Sequence, residues 1–357
     1  MSKATPPPTL QQIADRVGIS RTAVSMALRN QPRISEKLKT RVRREALALG
    51  YTPNPLLAAH MAHLRRRTTP RYQATLALVL SASRTHIKKY ALDLYRLYGQ
   101  GLKERCDQLG YRIEEFSLVE GETGPKRLCQ ILKNRGIHGL VIAPVPIPGS
   151  TVDLDWDLFA SVALGYSLGA PSLHRAAPDV FNNMGRILVE LSARGYRRPA
   201  VALAELDDMR VNHLTLARFL AWQRVEATER PLVPPLVTTN QNAEDTLRWY
   251  RKHRPDVIIS PNPRVYTWLR DARIDVPGKV GFVTPYWISQ YPFLTGIDQN
   301  YGLVAAAAID LLIGQLHRNE RGVPAEPKLT LMPGRWVEGK TLRATAPTPP
   351  RKPRSMR

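Results

Sequence analysis

The residues with the greatest capacity for specific chemistry lie near the N-terminus, in the run Ser20-Arg21-Thr22 and at Met26. An arginine can donate two parallel hydrogen bonds to O6 and N7 of guanine, and a threonine can bond a base or contact the thymine methyl group. Met26 follows Thr22 by about one helical turn and offers an apolar contact on the same face. Arg21, Thr22 and Met26 are therefore predicted to meet base edges in a DNA groove.

Other polar residues around this run are suited to the DNA backbone. Hydroxyl and amide groups near helix starts and turns bond phosphate oxygens in many protein–DNA complexes. The predicted phosphate contacts are Thr9, Ser20, Ser25 and Asn30. Arg33, in the turn before the next helical stretch, is predicted to reach either a base or a phosphate. The alternative is that these residues are ordinary helix caps and a solvated basic face.

Three short helices are predicted to position these side chains. Apolar residues at helical spacing, each run preceded by a Ser or Thr, mark their starts. The predicted helices and their capping residues are 10–17 with Thr9, 21–28 with Ser20, and 36–49 with Ser35. A short turn between the first two helices, with the second free to enter a major groove, is the arrangement of a helix-turn-helix.

Positive charge is concentrated at the two ends of the 357-residue chain, whose formal net charge is +22. Residues 1–71 hold fourteen Lys or Arg against three acidic residues, and residues 343–357 hold five Lys or Arg and no acid. An excess this localised is typical of a polyanion-binding module. Residues 1–8 and 343–357 are rich in proline and are predicted to be a disordered leader and a disordered basic tail.

The remaining composition narrows the class of protein. Cys106 and Cys129 are too few for a disulfide framework and lack metal-ligand spacing, so buried reduced thiols in a cytoplasmic protein are expected. The sequence has no signal-peptide core and no apolar run of about 18 residues, so no membrane span is expected. No phosphate loop, metal-binding histidine pair or nucleophile elbow is present, which argues against an enzyme and predicts no metal or cofactor.

From residue 73 onward, apolar β-rich runs alternate with helical stretches. Strands are predicted at 75–80, 111–118, 139–145, 161–166, 200–204, 236–239, 257–260 and 280–284. Helices are predicted at 90–109, 126–135, 182–194, 211–226, 243–253 and 303–316. This alternation implies parallel sheets, and its length predicts two Rossmann-like lobes with a ligand cleft at the carboxyl ends of the strands.

Residues 9–54 resemble the N-terminal signature of the lactose/galactose-repressor (LacI/GalR) family of transcriptional regulators, through TLQQIADRVGIS, RTAVSMALRN, ISEKLKTRVRREALALGY and Pro53-Asn54. A looser resemblance continues to about residue 340, through pieces such as RGIHGLVIAP and LTGIDQNYGLVAAAAIDLLIGQL. The resemblance implies an all-α helix-turn-helix headpiece over 9–54, a hinge helix and linker over 55–71, and an α/β periplasmic-binding-protein-like core of two lobes over 72–342.

The resemblance further implies a cytoplasmic, nucleoid-associated homodimer that binds a pseudo-palindromic operator in double-stranded DNA. In the family, a pair of hinge helices opens the minor groove with leucine side chains, as apolar wedges do elsewhere. The position of that leucine falls on His60, with Met61 after it and Leu57 one turn before it. Leu57, His60 and Met61 are therefore the minor-groove candidates, and a packed linker helix is the alternative.

In the core, the resemblance assigns Arg210 to a small-molecule effector. The run RVNHLTLA, which begins at Arg210, follows the family's Arg-x-x-Gly-Phe-x-x-Ala pattern, with His213 in place of the glycine. An ion pair of Arg210 with Asp207 or Asp208 is the alternative. The other effector candidates are Asn262, Tyr286, Trp287, Asp298 and Gln299.

Two departures from the family pattern concern the ligand. The strand VGFVT at residues 280–284 lacks the family's sugar-binding aspartate, and Asn262 is followed by proline instead of aspartate. A sugar-like effector is expected from the family, but these changes predict an altered pocket, with a different effector or none. The sequence thus predicts a DNA-binding transcriptional regulator, a repressor. The alternatives are a ligand-independent architectural DNA-bending protein and a helix-turn-helix fused to a domain of sugar metabolism.

Overall fold

The computed structural model describes residues 9–28, 34–49, 72–83, 85, 87–88, 92–119, 124–227 and 232–344. These residues form a three-helix headpiece and an α/β core. The predicted leader, residues Asn30 and Arg33, the hinge segment with Leu57, His60 and Met61, and the tail from residue 345 lie outside the described residues.

The headpiece consists of α1 (Leu10–Val17), α2 (Arg21–Leu28) and α3 (Glu36–Ala48). Thr9 caps α1 in a reciprocal capping box with Gln12. Ser20 and Ser35 cap α2 and α3, because their hydroxyl oxygens accept backbone N–H groups of the first turn. Each predicted cap is present in the structure.

A small apolar core holds the three headpiece helices together. Its buried side chains come from all three helices and are at most 6% exposed: Ile13, Ala14, Val17, Val24, Ala27, Val42 and Ala46. Because α2 turns its small apolar residues inward, Arg21 and Thr22 at its start stay on the outside.

The core elements alternate between strand and helix for most of their length. The first are β1 (Ala74–Leu80), α4 (Leu92–Leu109), β2 (Tyr111–Ser117), α5 (Pro125–Asn134), β3 (Gly139–Ile142), β4 (Ala160–Leu164), β5 (His174–Pro178) and α6 (Val180–Ala193). They are followed by β6 (Pro199–Ala204), α7 (Glu205–Met209), α8 (Leu214–Val225), β7 (Leu236–Thr238), α9 (Ala243–His253), β8 (Val257–Ile259), α10 (Arg264–Asp271), β9 (Gly281–Thr284), β10 (Thr295–Asp298), α11 (Tyr301–Arg318), β11 (Leu329–Met332) and β12 (Arg335–Val337).

Two six-stranded sheets divide the core into lobes. The first lobe has the strand order β11-β5-β4-β3-β1-β2, with α4 and α11 packed on one face and α5 on the other. The second lobe has the order β12-β10-β9-β8-β6-β7, with α6 and α8 on one face and α9 and α10 on the other. All neighbouring strands are parallel except β12, which runs antiparallel to β10. The predicted fold class is confirmed.

The chain passes between the lobes three times, between β5 and α6, between β10 and α11, and between β11 and β12. Asn183, at the start of α6, is only 4% exposed and bonds to both of the other crossovers. Its Oδ1 accepts the Gly334 N–H at 2.8 Å, and its Nδ2 donates to Gln299 Oε1 at 2.6 Å. One buried amide therefore joins all three connections.

The sequence-based elements need correction in a few places. The prediction misses β5, β10, β11 and β12, which have only three to five residues each, and β5 ends in a proline that is unusual in strands. The predicted helix over 211–226 begins only at Leu214, because Asn212 and His213 take left-handed φ angles of 54° and 59°. The predicted strands 139–145 and 161–166 end earlier, at Ile142 and Leu164.

Candidate nucleic-acid interface and ligand cleft

The start of α2 presents the predicted base contacts on the outside of the headpiece. Arg21 and Thr22 are exposed, and Met26 is half-buried. Ser20 lies at the N-cap, where its Oγ accepts the N–H of a residue three positions later at 3.1 Å. The Ser25 side chain and the residues Asn30 and Arg33 lie outside the described part, so their DNA contacts remain predictions. Thr9, like Ser20, combines a predicted phosphate contact with an observed cap.

Two of the three headpiece acids pair with neighbouring basic side chains, and basic residues outnumber the acids in this domain. Glu36 pairs with Lys39 at 2.7 Å, and the hydrogen bond from that lysine lowers the pKa of the Glu36 carboxyl. Glu45 lies 3.9 Å from an α1 arginine. Arg21 and Arg41 are exposed and have no ion-pair partner among the described residues. A positive surface around an exposed helix start fits the polyanionic DNA backbone.

The second candidate site is the cleft at the carboxyl ends of the strands of both lobes. Arg210 lies directly after α7 in the second lobe, but its guanidinium reaches the first lobe. Its Nη1 donates to the Val145 carbonyl at 3.3 Å, and its Nη2 donates to the Pro146 carbonyl at 2.6 Å. The hydrogen bonds of this arginine therefore run to backbone carbonyls and not to Asp207 or Asp208, the alternative partners expected from the sequence.

The segment that carries Arg210 is held by a buried carboxylate. Asp208 is 2% exposed, and its Oδ1 accepts the Leu216 N–H at 3.2 Å. Its Oδ2 lies 3.1 Å from Nδ1 of His213, the residue that replaces the family's glycine. Burial raises the pKa of the neighbouring Asp207 carboxyl, an effect that Arg210 opposes. Within the cleft, both carboxyl oxygens of Asp208 therefore have partners in the protein, and burial disfavours the charged form of Asp207.

Tyrosines form a group around the cleft that sequence reasoning did not find. Tyr95 donates its O–H to the Pro144 carbonyl, and Tyr166 donates to the Pro178 carbonyl at 2.8 Å. Burial raises the pKa of Tyr95 and that of Tyr166 to about 12, so both are neutral donors at neutral pH. Tyr166 follows β4 by two residues, but Tyr95 lies on α4, and no periodicity in the sequence brings that helix to the cleft.

Asn262 lies beyond the end of β8 and contacts a residue beyond the end of β7. Its Nδ2 donates to Gln241 Oε1 at 3.0 Å, and its Oδ1 accepts the Arg264 N–H at 3.0 Å. Gln241 Nε2 and Thr238 Oγ1 are buried polar atoms with no hydrogen-bond partner among the described residues. Unpartnered buried donors next to a cleft are suited to a ligand with acceptor atoms.

Tyr286 and Trp287 follow β9 but have different surroundings. The Tyr286 hydroxyl lies 3.3 Å from Thr215 Oγ1, and burial raises the pKa of this tyrosine. Trp287 packs against the apolar cluster beneath α9 and α10, and its Nε1 has no partner in the described part of the chain. The structure places Tyr286 with the α8 start and Trp287 largely within the lobe.

Asp298 and Gln299 lie at the second crossover, where both have partners. Asp298 Oδ2 pairs with Arg335 at 3.0 Å. Gln299 is fully buried, and its amide donates to the Pro285 carbonyl and accepts from Asn183. These contacts join connections between the lobes, so an effector role for either residue remains a prediction.

No group of three or more His, Cys, Asp or Glu side chains in the described ranges is arranged to hold a metal ion. None of the helices that the structure describes has the length and apolar character needed to cross a membrane.

Comparisons with known proteins match both parts of the chain. Residues 9–54 match the model of the bacterial regulatory proteins of the lacI family, and residues 189–342 match the periplasmic binding protein-like domain. The HTH-type transcriptional regulator DegA of Bacillus subtilis (strain 168) is 26% identical over 135 residues, which are 38% of this chain and 36% of DegA. The match with that relative therefore spans about a third of its length.

Solved structures share the fold at low identity. The complex of the transcriptional regulator CelR with cellobiose is 17% identical, with a TM-score of 0.56 over 94% of this chain and 99% of that one. The lac repressor dimer bound to operator and the anti-inducer ONPF is also 17% identical, with a TM-score of 0.56 over 95% and 100%. The LacI family regulator CCPA of Weissella paramesenteroides, solved with bound glucose, is 15% identical, with a TM-score of 0.53 over 76% and 98%.

A helix-turn-helix headpiece joined to a two-lobe core of this fold defines a DNA-binding transcriptional regulator. Residues 9–54 carry the DNA-binding domain of the lacI family and residues 189–342 a periplasmic binding protein-like domain, and together they support a LacI/GalR-family regulator. The family expected from the sequence motifs is confirmed.

Proposed function

We propose that this regulator is a homodimeric repressor that binds a pseudo-palindromic operator and is controlled by a small molecule in the cleft between the lobes. The observation that carries the DNA part is the exposed Arg21-Thr22 pair at the start of α2, on a headpiece where Glu36 and Glu45 pair with neighbouring basic side chains. Two headpieces related by a two-fold axis would place two such helix starts in successive major grooves.

Within this proposal, the DNA contacts of the headpiece divide into base-reading and phosphate-binding residues. Arg21 reads a guanine, Thr22 and the half-buried Met26 contact a neighbouring base, and Thr9 and Ser20 bond phosphates. Ser25, Asn30 and Arg33 complete the proposed DNA contacts, and Leu57, His60 and Met61 are the proposed minor-groove set. Similarity supports this arrangement, because the lac repressor, whose fold this chain shares, was solved as a dimer on its operator.

The DNA part is tested by selecting binding sites from randomised duplexes with the full chain and with Arg21→Ala. We expect the selected site to lose its preference at one position in each half, with about a ten- to hundredfold drop in affinity for the preferred sequence. The matched control is Arg41→Ala, an exposed arginine of α3 that carries the same charge. It should lower affinity evenly across sequences. An unchanged preference with Arg21→Ala would refute the base-reading role.

The effector part rests on the two-lobe core and on the buried donors beside the cleft. Gln241 Nε2 and Thr238 Oγ1 supply donors, and Asn262 holds Gln241 in place. The related CelR and CCPA structures contain cellobiose and glucose, respectively. We therefore propose a small polar effector with acceptor oxygens, a sugar or a sugar derivative. Arg210, Tyr286 and Trp287 with Asp298 and Gln299 form the wider set of proposed contacts.

Operator affinity measured with and without a panel of neutral and phosphorylated monosaccharides and disaccharides tests effector control. A change of tenfold or more with one compound, absent in Gln241→Ala, is the expected result. The matched control is Gln130→Ala, an exposed glutamine on α5 outside the cleft. Tight binding of one palindrome that no compound changes would favour the second candidate, a DNA-bending protein without an effector. The internal bonding of Arg210 supports that candidate.

A further inference from the structure

Arg210 makes a direct contact between the two lobes. The residue belongs to the second lobe, immediately after α7, and both carbonyls that accept its hydrogen bonds belong to the first lobe, after β3. A guanidinium presents several N–H groups in a rigid planar fork, so one side chain can hold two acceptors at once. Because the acceptors belong to the backbone, the fork holds the lobe itself and not a mobile side chain.

The accepting segment is fixed from within the first lobe. The Val145 N–H donates to Ser167 Oγ at 2.9 Å, and Val145 is only 1% exposed. The Tyr95 hydroxyl donates to the Pro144 carbonyl. The three successive carbonyls of residues 144, 145 and 146 therefore each accept a side-chain donor, two of them from Arg210. Movement of these acceptors away from Arg210 requires movement of the lobe.

The donating segment is fixed from within the second lobe. Asp208 accepts the Leu216 N–H and lies 3.1 Å from His213 Nδ1, so its buried carboxylate spans the turn that follows Arg210. Asn212 and His213 both take left-handed φ angles, 54° and 59°, which residues other than glycine rarely adopt. The contacts of Asp208 stabilise this unfavourable backbone conformation, and the stabilised turn keeps Arg210 in position at the cleft.

We propose that Arg210 is an inter-lobe clamp: its guanidinium donates to the carbonyls of Val145 and Pro146 and so keeps the two lobes together. Hydrogen bonds from a charged donor are stronger than neutral ones, which suits a contact that biases one lobe arrangement. An effector that recruits Arg210 must then supply acceptor oxygens in place of these two carbonyls. Only this consequence rests on the proposed effector control. The clamp itself does not depend on DNA or on an effector.

Distances between spin labels on the two lobes test the clamp in the full-length chain. Lys126 on α5 and Thr267 on α10 are exposed and distant in sequence from the clamp, and each is replaced by cysteine for labelling. The native Cys106 and Cys129 are buried. The labelled chain is mixed with an excess of unlabelled chain, so that distances within one protomer dominate, and neither DNA nor sugar is added.

Arg210→Met keeps the length of the side chain and removes its donors, and it should shift the inter-lobe distance distribution to longer values. Arg175→Met is the matched control, since Arg175 also donates to two backbone carbonyls, those of Gly165 and Leu168, but within its own lobe. It should leave the distribution unchanged. Arg210→Lys, with one ammonium group, should give an intermediate shift and serves if the methionine variant does not fold.

Two results would overturn the clamp. One is an identical distance distribution for the parent chain and the Arg210 variants. The other is an equal shift with Arg175→Met, which would show a general loosening of the lobes. Neither result bears on operator recognition, because the measurement contains no DNA. Loss of sequence-specific DNA binding in the selection experiment would, conversely, leave the clamp intact.

Discussion

Arg21 and Arg210 are both arginines predicted to bind a partner, but the structure gives them opposite surroundings. Arg21 is exposed on the first turn of α2, and its guanidinium has no ion-pair partner among the described residues. Arg210 is half-buried and donates to two carbonyls of the other lobe. The headpiece leaves this arginine on its surface, whereas the cleft binds its arginine within the protein.

Because of this difference, the residue type alone predicts a binding role on the headpiece surface but not in the cleft. On an exposed helix face, a donor without a partner in the chain is available to DNA, so the residue type alone predicts the role well. In a cleft between two lobes, most polar side chains must find partners within the chain, because an unsatisfied buried group is costly. A cleft residue therefore needs its contacts as well as its type before a ligand role can be assigned.

The largest expected effect comes from the apolar core that holds the reading helix. Ile13 is fully buried at the centre of the headpiece, and Ile13→Ala should cost about 2–5 kcal/mol, enough to unfold much of so small a domain. Hydrogen exchange of peptides from residues 9–49 in the full chain should rise sharply, and DNA binding should be lost. Leu47→Ala is the control, because Leu47 is 84% exposed and its truncation should change neither readout. Normal protection in Ile13→Ala would contradict the importance of this core.

A smaller effect on stability is expected at the crossovers between the lobes, which the polar side chain of Asn183 links to one another. Asn183→Leu leaves the Gly334 N–H and Gln299 Oε1 without their partner, which should cost about 1–3 kcal/mol for each buried group. The melting temperature of the full chain reports this loss. Asn182→Leu is the matched control, since this neighbouring asparagine is exposed and bonds only within the α6 cap. Equal melting temperatures for the two variants would remove Asn183 as the link between the crossovers.

The headpiece and the alternation of strands and helices could be predicted because both follow local patterns. The caps at Thr9, Ser20 and Ser35 and the spacing of buried residues around Ile13 are all contained within one helix or its first turn. The periods of helix and strand likewise predict two lobes without any knowledge of their contacts.

The cleft could not be predicted in the same way, because its contacts join distant segments. Nothing near Arg210 in the sequence indicates that residues 145 and 146 accept its hydrogen bonds across the cleft. The positions of the tyrosines could not be predicted either, because Tyr95 on α4 and Tyr166 after β4 reach the cleft only through tertiary packing. The sequence shows that His213 replaces the family's glycine, but it does not indicate that His213 contacts Asp208.

The smallest expected effect concerns Asp207. The sign of the pH dependence of its contribution to stability shows whether the cost of burial or the attraction to Arg210 is larger. Burial raises the pKa of Asp207 and outweighs the lowering by the arginine. A carboxyl whose folded-state pKa is raised contributes stability below its unfolded pKa, and that contribution is lost as the pH rises through the folded pKa. At neutral pH the ionised carboxylate therefore lowers the stability of the fold, and Asp207→Asn should raise the melting temperature there.

The same variant should lose this advantage as the pH falls below the ordinary carboxyl range, because the parent Asp207 then becomes neutral as well. Melting temperatures of the parent chain and of Asp207→Asn across this range give the comparison, and Asp153→Asn, an exposed carboxyl of the first lobe, is the control. If Asp207→Asn instead melts lower at neutral pH, attraction to Arg210 exceeds the cost of burial. The cleft carboxylate would then behave like the ion-paired acids of the headpiece, and the contrast between the two regions would hold for Arg210 alone.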